Sequence, residues 1–173
     1  MRFLMGMPEK RCRRLKQGAV CTADALWLGV IFSQSLHSAV ESSQYSGRLT
    51  RLLQWLLQTD EPVDALEHLV RKLAHFAEFF LLGALAAATL AVFGLLAKGS
   101  VCHAIAPAAL AGLLAGLCDE TLQLTSAGRA AQVSDVWLDW AGYLCGLAFC
   151  LFCAKTVVNS VKKRYDNKKS DSK

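Results

Sequence analysis

Charge is scarce in this chain. Only 19% of its 173 residues are Asp, Glu, Lys or Arg, 54% are hydrophobic, and the mean hydropathy is positive. That balance excludes an intrinsically disordered chain and a solenoid of charged repeats. Three prolines and 12 glycines are too few for a collagen-like chain. Cysteine gives no framework either. There are seven, an odd number, and Cys102, Cys118, Cys145, Cys150 and Cys153 lie inside apolar runs. Cys150 and Cys153 form a CxxC, but no second pair or nearby His completes a zinc spacing, so they read as small apolar residues. Also missing are G-x-S-x-G, H-E-x-x-H and Walker-type signatures, so no known reaction class is marked. No internal repeat is present.

A formal net charge of +5 invites a nucleic-acid reading, but 13 of the 19 basic residues fall in the first 16 and last 19 positions. Two basic tails around an apolar middle describe a membrane protein, and no nucleic-acid partner is expected. A spanning helix needs about 20 mostly apolar residues. Four stretches qualify: Gly18 to Val40, Leu73 to Ala97, Gly99 to Cys118 and Val136 to Val158. A cleaved signal peptide fits the first poorly, because its basic leader is long and no small-residue cleavage site follows. The length suits a single domain. The expected fold is all-α, a polytopic integral membrane protein with four transmembrane helices in a bundle plus an outer amphipathic helix. Residues 1–17 read as a basic cytoplasmic segment, 18–158 as the membrane domain and 159–173 as a basic, disordered cytoplasmic tail.

Orientation follows from basic residues in the short flanks. The N-terminal segment, the C-terminal tail and Lys98 place 14 on one side, against five on the other: Arg48, Arg51, Arg71, Lys72 and Arg129. Both termini are therefore expected in the cytoplasm. The long outer connection, 41–70, carries Leu49, Leu52, Leu53, Leu56 and Leu57 at helical spacing with Trp55 alongside. This amphipathic helix either lies on the membrane surface or packs on its own protein. Thr59-Asp60-Glu61-Pro62 reads as a stop and restart, leading through Val63, Leu66 and Leu69 into the second span.

Ionisable groups at membrane depth are costly and mark functional positions. Arg71, His75 and Glu78 stack on one face at i, i+4, i+7. Asp119, Glu120 and Gln123 share one turn at the end of the third span, Gly128-Arg129 sits in the tight connection 124–132, and the fourth span opens with Asp135 and Asp139. All reach the same outer interface. The eight residues Arg71, His75, Glu78, Asp119, Glu120, Gln123, Arg129 and Asp135 form the candidate site, either a structural salt-bridge network or a functional one. Two acids at a helix C-terminus oppose its dipole, so Arg129 and Arg71 are expected to compensate Asp119 and Glu120. Lys72 reads as a snorkelling anchor. Asp24 reads as a structural acid near a helix start, and Asp139 as isolated packing. No metal or cofactor is expected, and no catalytic residue is assigned.

The string Arg71-Lys72-Leu73-Ala74-His75-Phe76-Ala77-Glu78-Phe79 resembles the RKxxHxxEY/F signature of VanZ-like membrane proteins. Asp119-Glu120-Thr121-Leu122-Gln123 with Gly128-Arg129 is similar to that family's DExxQ…GR segment. Asp135-Val136-Trp137-Leu138-Asp139 with Gly142 and Gly146 is similar to its DxxxN…G…G opening of the last span, with Asp139 where the family usually has Asn. Ile31-Phe32-Ser33-Gln34-Ser35 resembles its first-span ending. The resemblance covers roughly residues 25 to 153. It implies a bacterial cell-envelope protein of the cytoplasmic membrane, associated through the founding member with resistance to the glycopeptide teicoplanin. No defined reaction comes with it.

Three functions compete at this point. One is a non-enzymatic envelope protein whose arginines bind a membrane lipid or lipid-linked wall component and lower susceptibility to teicoplanin-type lipoglycopeptides. Another is a membrane-embedded enzyme acting on a phospholipid or polyprenyl-linked substrate, with Glu78 or Glu120 as acid/base. The third is a transporter, which four spans line only as an oligomer. Small residues at Gly83, Ala87 and Gly94, and at Gly112 and Gly116, fit packing inside the bundle better.

Overall fold

Hydrocarbon offers no hydrogen-bond partners, so a chain crossing it must satisfy its backbone within the segment. A computed structural model describes residues 9–38, 40, 43, 47, 50–52, 54, 55, 62–96 and 101–170, with the backbone alone at 101, 102, 157–159 and 161–170. All regular structure among the described residues is helical. The long helices are α1 (Glu9–Ser35), α2 (Val63–Phe93), α3 (Val101–Gln123) and α4 (Val133–Ser170). Each holds a stretch long and apolar enough to cross a membrane, starting at His103 in α3 and ending at Thr156 in α4. The chain is an all-α, multi-pass membrane protein.

The helix limits differ from the hydropathy limits for identifiable reasons. α1 begins at Glu9, well before Gly18, because Lys and Arg are good helix formers and no proline interrupts 9–35. α2 begins directly after Pro62 (φ −56°, ψ 133°), carries Asp64 in its first turn, and runs unbroken into the span as expected. Thr59 to Glu61 lie outside the described residues. α2 stops at Phe93, short of Ala97, because Gly94 turns left-handed (φ +68°). The Leu95 N–H then donates to the Leu90 carbonyl at 3.0 Å, a closure that glycine adopts without steric cost. α4 continues to Ser170. Residues 159–170 therefore extend the last helix where the sequence reading expected disorder; no Gly or Pro breaks this Lys-rich stretch.

The helices run up and down. Arg13 and Lys16 of α1 border the same groove as Ala91 and Gly94 at the far end of α2. That end of the bundle also receives the C-terminal half of α4, while the ionisable cluster sits at the other. The core is formed by Ile31, Phe79, Leu82, Ala87, Leu90, Tyr143 and Leu147. Two indoles tie helices together: Trp27 Nε1 donates to the Glu78 carbonyl and Trp140 Nε1 to the Ala109 carbonyl, each at 2.9 Å. Close approach of α2 and α4 depends on glycine. The pro-Cβ position of Gly83 meets the Tyr143 carbonyl, that of Gly142 the Phe76 carbonyl and that of Gly146 the Phe80 carbonyl. Gly112 faces the Tyr143 ring and Gly116 the Asp139 side chain. The small residues thus serve packing inside the bundle, except Gly94, which has no neighbour there and acts as the α2 terminator.

Among residues 40–55, all those described are helical. Thr50 is fully buried, while Leu52 and Trp55 (75% exposed) point away from the bundle. Leu49, Leu53, Leu56 and Leu57 lie outside the described residues.

Asp24 has a different explanation from the one its sequence position suggested. With α1 starting at Glu9 it lies mid-helix, beyond the reach of the terminal dipole. Thr89 Oγ1 of α2 donates to its Oδ2 at 2.6 Å, while Oδ1 is buried without a hydrogen-bond partner among the described residues. Thr89→Val is expected to strip the carboxylate of that donor and cost about 1–3 kcal/mol. Thermal unfolding in detergent checks this, and an unchanged Tm would show that the bond contributes nothing net.

Candidate functional site

Three helix ends and an inner stretch of α2 converge at one end of the bundle: the C-terminus of α1, the first turns of the apolar part of α2, the C-terminus of α3 and the N-terminus of α4. A helix C-terminus leaves its last carbonyls without intrahelical donors. At α1 these are supplied by the turn between α3 and α4. Ser126 Oγ donates to the Ser35 carbonyl at 2.9 Å, and Arg129 Nη1 donates to the Ser35 and Gln34 carbonyls at 3.2 and 3.3 Å. The turn itself closes through Ser126 N–H to the Gln123 carbonyl (3.0 Å) and Arg129 N–H to the Ser126 carbonyl (3.3 Å). Gly128 takes the left-handed conformation (φ +75°) that this closure requires.

The acids of α3 are buried and hydrogen-bonded. Ser35 Oγ donates to Asp119 Oδ1 at 2.5 Å. Gln123 Nε2 donates both its protons, to Asp119 Oδ2 at 3.1 Å and to Glu120 Oε1 at 2.9 Å. The Gln132 N–H donates to Glu120 Oε2 at 2.9 Å. Both Glu120 oxygens are therefore engaged, and the carboxylate braces the α3–α4 turn against the end of α3. Asp119 and Glu120 take their hydrogen bonds from amide and hydroxyl donors, while Arg129 caps α1 and faces both acids electrostatically, the compensation expected of it. Arg71 pairs with Glu67 at 3.3 Å and reaches Ser43 at 3.4 Å. Lys72 pairs with Asp135 at 3.1 Å, so it closes the site rather than snorkelling away from it.

Above the buried acids lies a cavity of about 160 Å³. Arg71, Lys72, His75, Gln123, Arg129 and Asp135 line it, with His68 at its rim. Of the eight residues expected from the sequence, five face this cavity. Asp119 and Glu120 lie beneath it, buried. Glu78 lies one helical turn deeper than His75 and is hydrogen-bonded by the Gln34 side chain. All eight belong to one assembly, in layers that sequence spacing did not show. Partial burial and the nearby Arg71 guanidinium push Arg129 below its usual value, and the carboxylates around it oppose that shift only in part.

Ser35, Ser126 and Asp139 are contributors that were not among the expected site residues. Ser35 belongs to the Gln34-Ser35 pair ending α1, a signal that was present in the sequence. Ser126 carried no signal beyond its place in a turn. Asp139 is the largest omission: it is completely buried, and its Oδ1 lies 3.8 Å from His75 Nδ1. Neither of its oxygens has a hydrogen-bond partner among the described residues. Its signal was the cost of a carboxylate inside a span.

Fold and site together define a polytopic helical membrane protein with one layered polar assembly at an end of its bundle. The sequence profile of the VanZ/LLP1 family matches residues 22–154, most of the chain and every residue of that assembly, and the chain belongs to this family. No curated protein and no solved structure gives a match.

Proposed function

We propose that this chain is a non-enzymatic cell-envelope protein that binds the anionic headgroup of a membrane lipid or lipid-linked wall component in the Arg71/Arg129 cavity. One observation carries the reading. Arg129 lines the cavity, yet it has no ion pair with a carboxylate among the described residues. A guanidinium held by two carbonyls keeps donors free for a phosphate or carboxylate, the bidentate recognition for which Arg is suited. Arg71 approaches from the facing helix, so an incoming anion would relieve the repulsion between the two cations. The engagement of both Glu120 oxygens, and the absence of Glu78 and Glu120 from the cavity wall, favour binding over acid/base chemistry by either residue.

The excess of basic residues at the opposite end of the bundle supports a topology with both termini in the cytoplasm and the cavity outside. Family membership and that placement support a setting in the bacterial cytoplasmic membrane, where a captured headgroup alters how teicoplanin-type lipoglycopeptides engage the surface. The test is susceptibility of a sensitive bacterial host producing the wild type or Arg129→Ala at matched membrane abundance. Selective protection against teicoplanin over vancomycin is expected, and its loss in Arg129→Ala. Protection that survives the substitution would remove Arg129 from the site, and no protection by well-expressed wild type would overturn the resistance reading.

A further inference from the structure

Beside His75, which lines the cavity, lies a feature that headgroup binding does not use. Asp139 is completely buried, and neither carboxylate oxygen receives a hydrogen bond from the described residues. A buried carboxylate with no donor costs several kcal/mol even after the surroundings relax. What faces it is His75, whose Nδ1 stands 3.8 Å from Asp139 Oδ1 and 3.8 Å from Asp119 Oδ2. Those separations are too long for hydrogen bonds. They suit two atoms sharing a metal ion: ligands at roughly 2.0–2.2 Å from one ion stand about 3.4 Å apart in a tetrahedron and at most about 4.3 Å. One ligand atom from each of His75, Asp119 and Asp139 lies within 4.8 Å of the other two, so small side-chain rotations bring all three onto one centre.

We propose that His75, Asp119 and Asp139 form a three-ligand site for a divalent first-row cation, of the Mn²⁺ or Zn²⁺ kind. One imidazole with two carboxylates suits these ions, whereas all-oxygen sets suit Mg²⁺ and Ca²⁺. Two carboxylates neutralise the ion, and the ion supplies the partner that Asp139 lacks. Ser35 and Gln123 orient Asp119 through their hydrogen bonds to Oδ1 and Oδ2, as outer partners orient ligands in known metal sites. His75 also lines the cavity, so the remaining coordination positions open toward it, where a water or an anion oxygen completes the shell. The three ligands come from three different helices, α2, α3 and α4.

The full chain, purified in detergent, stripped with chelator and desalted, is titrated with Mn²⁺ and separately with Zn²⁺. One equivalent per chain is expected, with a raised Tm by mass action and imidazole nitrogen coupling in the Mn²⁺ resonance spectrum. Asp139→Leu removes a ligand without leaving a buried polar group unpaired. It and His75→Leu are each expected to weaken binding about tenfold or more. Asp24→Asn alters a carboxylate elsewhere in the bundle and should keep the full equivalent. Monodisperse wild type that binds less than half an equivalent of either ion overturns the proposal. So does binding without nitrogen coupling, which needs no variant to fold, and so does undiminished binding by Asp139→Leu. The readout uses the metal alone, with no lipid or antibiotic, so its outcome is separate from that of the headgroup reading.

Discussion

Gly146→Val yields no stably folded protein. A Cβ at Gly146 falls against the backbone carbonyl, carbon and Cα of Phe80. Backbone atoms of a packed helix cannot rotate aside as a side-chain tip can, so α2 and α4 must separate. The loss is not local, because Gly142 meets Phe76 and Gly83 meets Tyr143 along the same seam. Overpacking typically costs about 1–3 kcal/mol, and this contact belongs at or above the top of that range. In lipid the penalty is fully felt, since small residues that let backbones approach are a main source of helix association there. The expected result is loss of the monodisperse peak in gel filtration, or a Tm collapse in the protein that survives. Gly29→Val is the matched control: its Cβ position has no neighbour within 4 Å, and near-native behaviour is expected. A wild-type Tm for Gly146→Val would mean that α2 and α4 do not meet at this point.

Gln123→Leu is expected to have the next largest effect. A single amide nitrogen serves two buried carboxylates, Asp119 and Glu120. Leucine preserves the volume but leaves Asp119 Oδ2 and Glu120 Oε1 without that donor in a packed interior. Removing one partner of a buried charged group costs about 3–5 kcal/mol in the strong cases. Here Ser35 and the Gln132 N–H still hold the other oxygens, so the lower part of that range applies. Because Glu120 anchors the α3–α4 turn through Gln132, the change should also loosen Arg129. Reduced Tm and lost teicoplanin protection are expected together. Glu120→Gln should cost less, because its amide oxygen can still accept a bond. If Gln123→Leu unfolds at the wild-type temperature, the carboxylates find other donors and the layered assembly described above is wrong.

The sequence by itself determined the class of protein. Four apolar runs of spanning length leave helices as the local solution, because hydrocarbon satisfies no backbone group. Pro62 marked the start of α2, whereas its stop at Gly94 came three residues before the expected Ala97. An up-and-down order of four helices brings the stretches carrying Arg71, Asp119, Arg129 and Asp135 to one interface, so part of the polar cluster was legible before any coordinates, while Ser35, Ser126 and Asp139 were not assigned to it. The family motifs named the same positions. Which group bonds to which was not legible. Ser35 meets Asp119 across 84 residues of sequence, and Arg129 meets Gln34 across 95. Such pairings depend on how far each helix is rotated about its axis, and spacing along one helix says nothing of its rotation against another.

The same reason explains each departure. Lys72 lies close enough to Asp135 to pair with it only because α2 and α4 are drawn together at Gly142 and Gly146. Asp24 needed Thr89 on another helix. Asp139 read as isolated because its neighbours, His75 and Asp119, lie on α2 and α3. Composition and hydropathy act within a segment, so they specified the helices and their order. Tertiary packing alone decided the layering of the site, because two carboxylates and an imidazole become one centre only when three separate helices close around them.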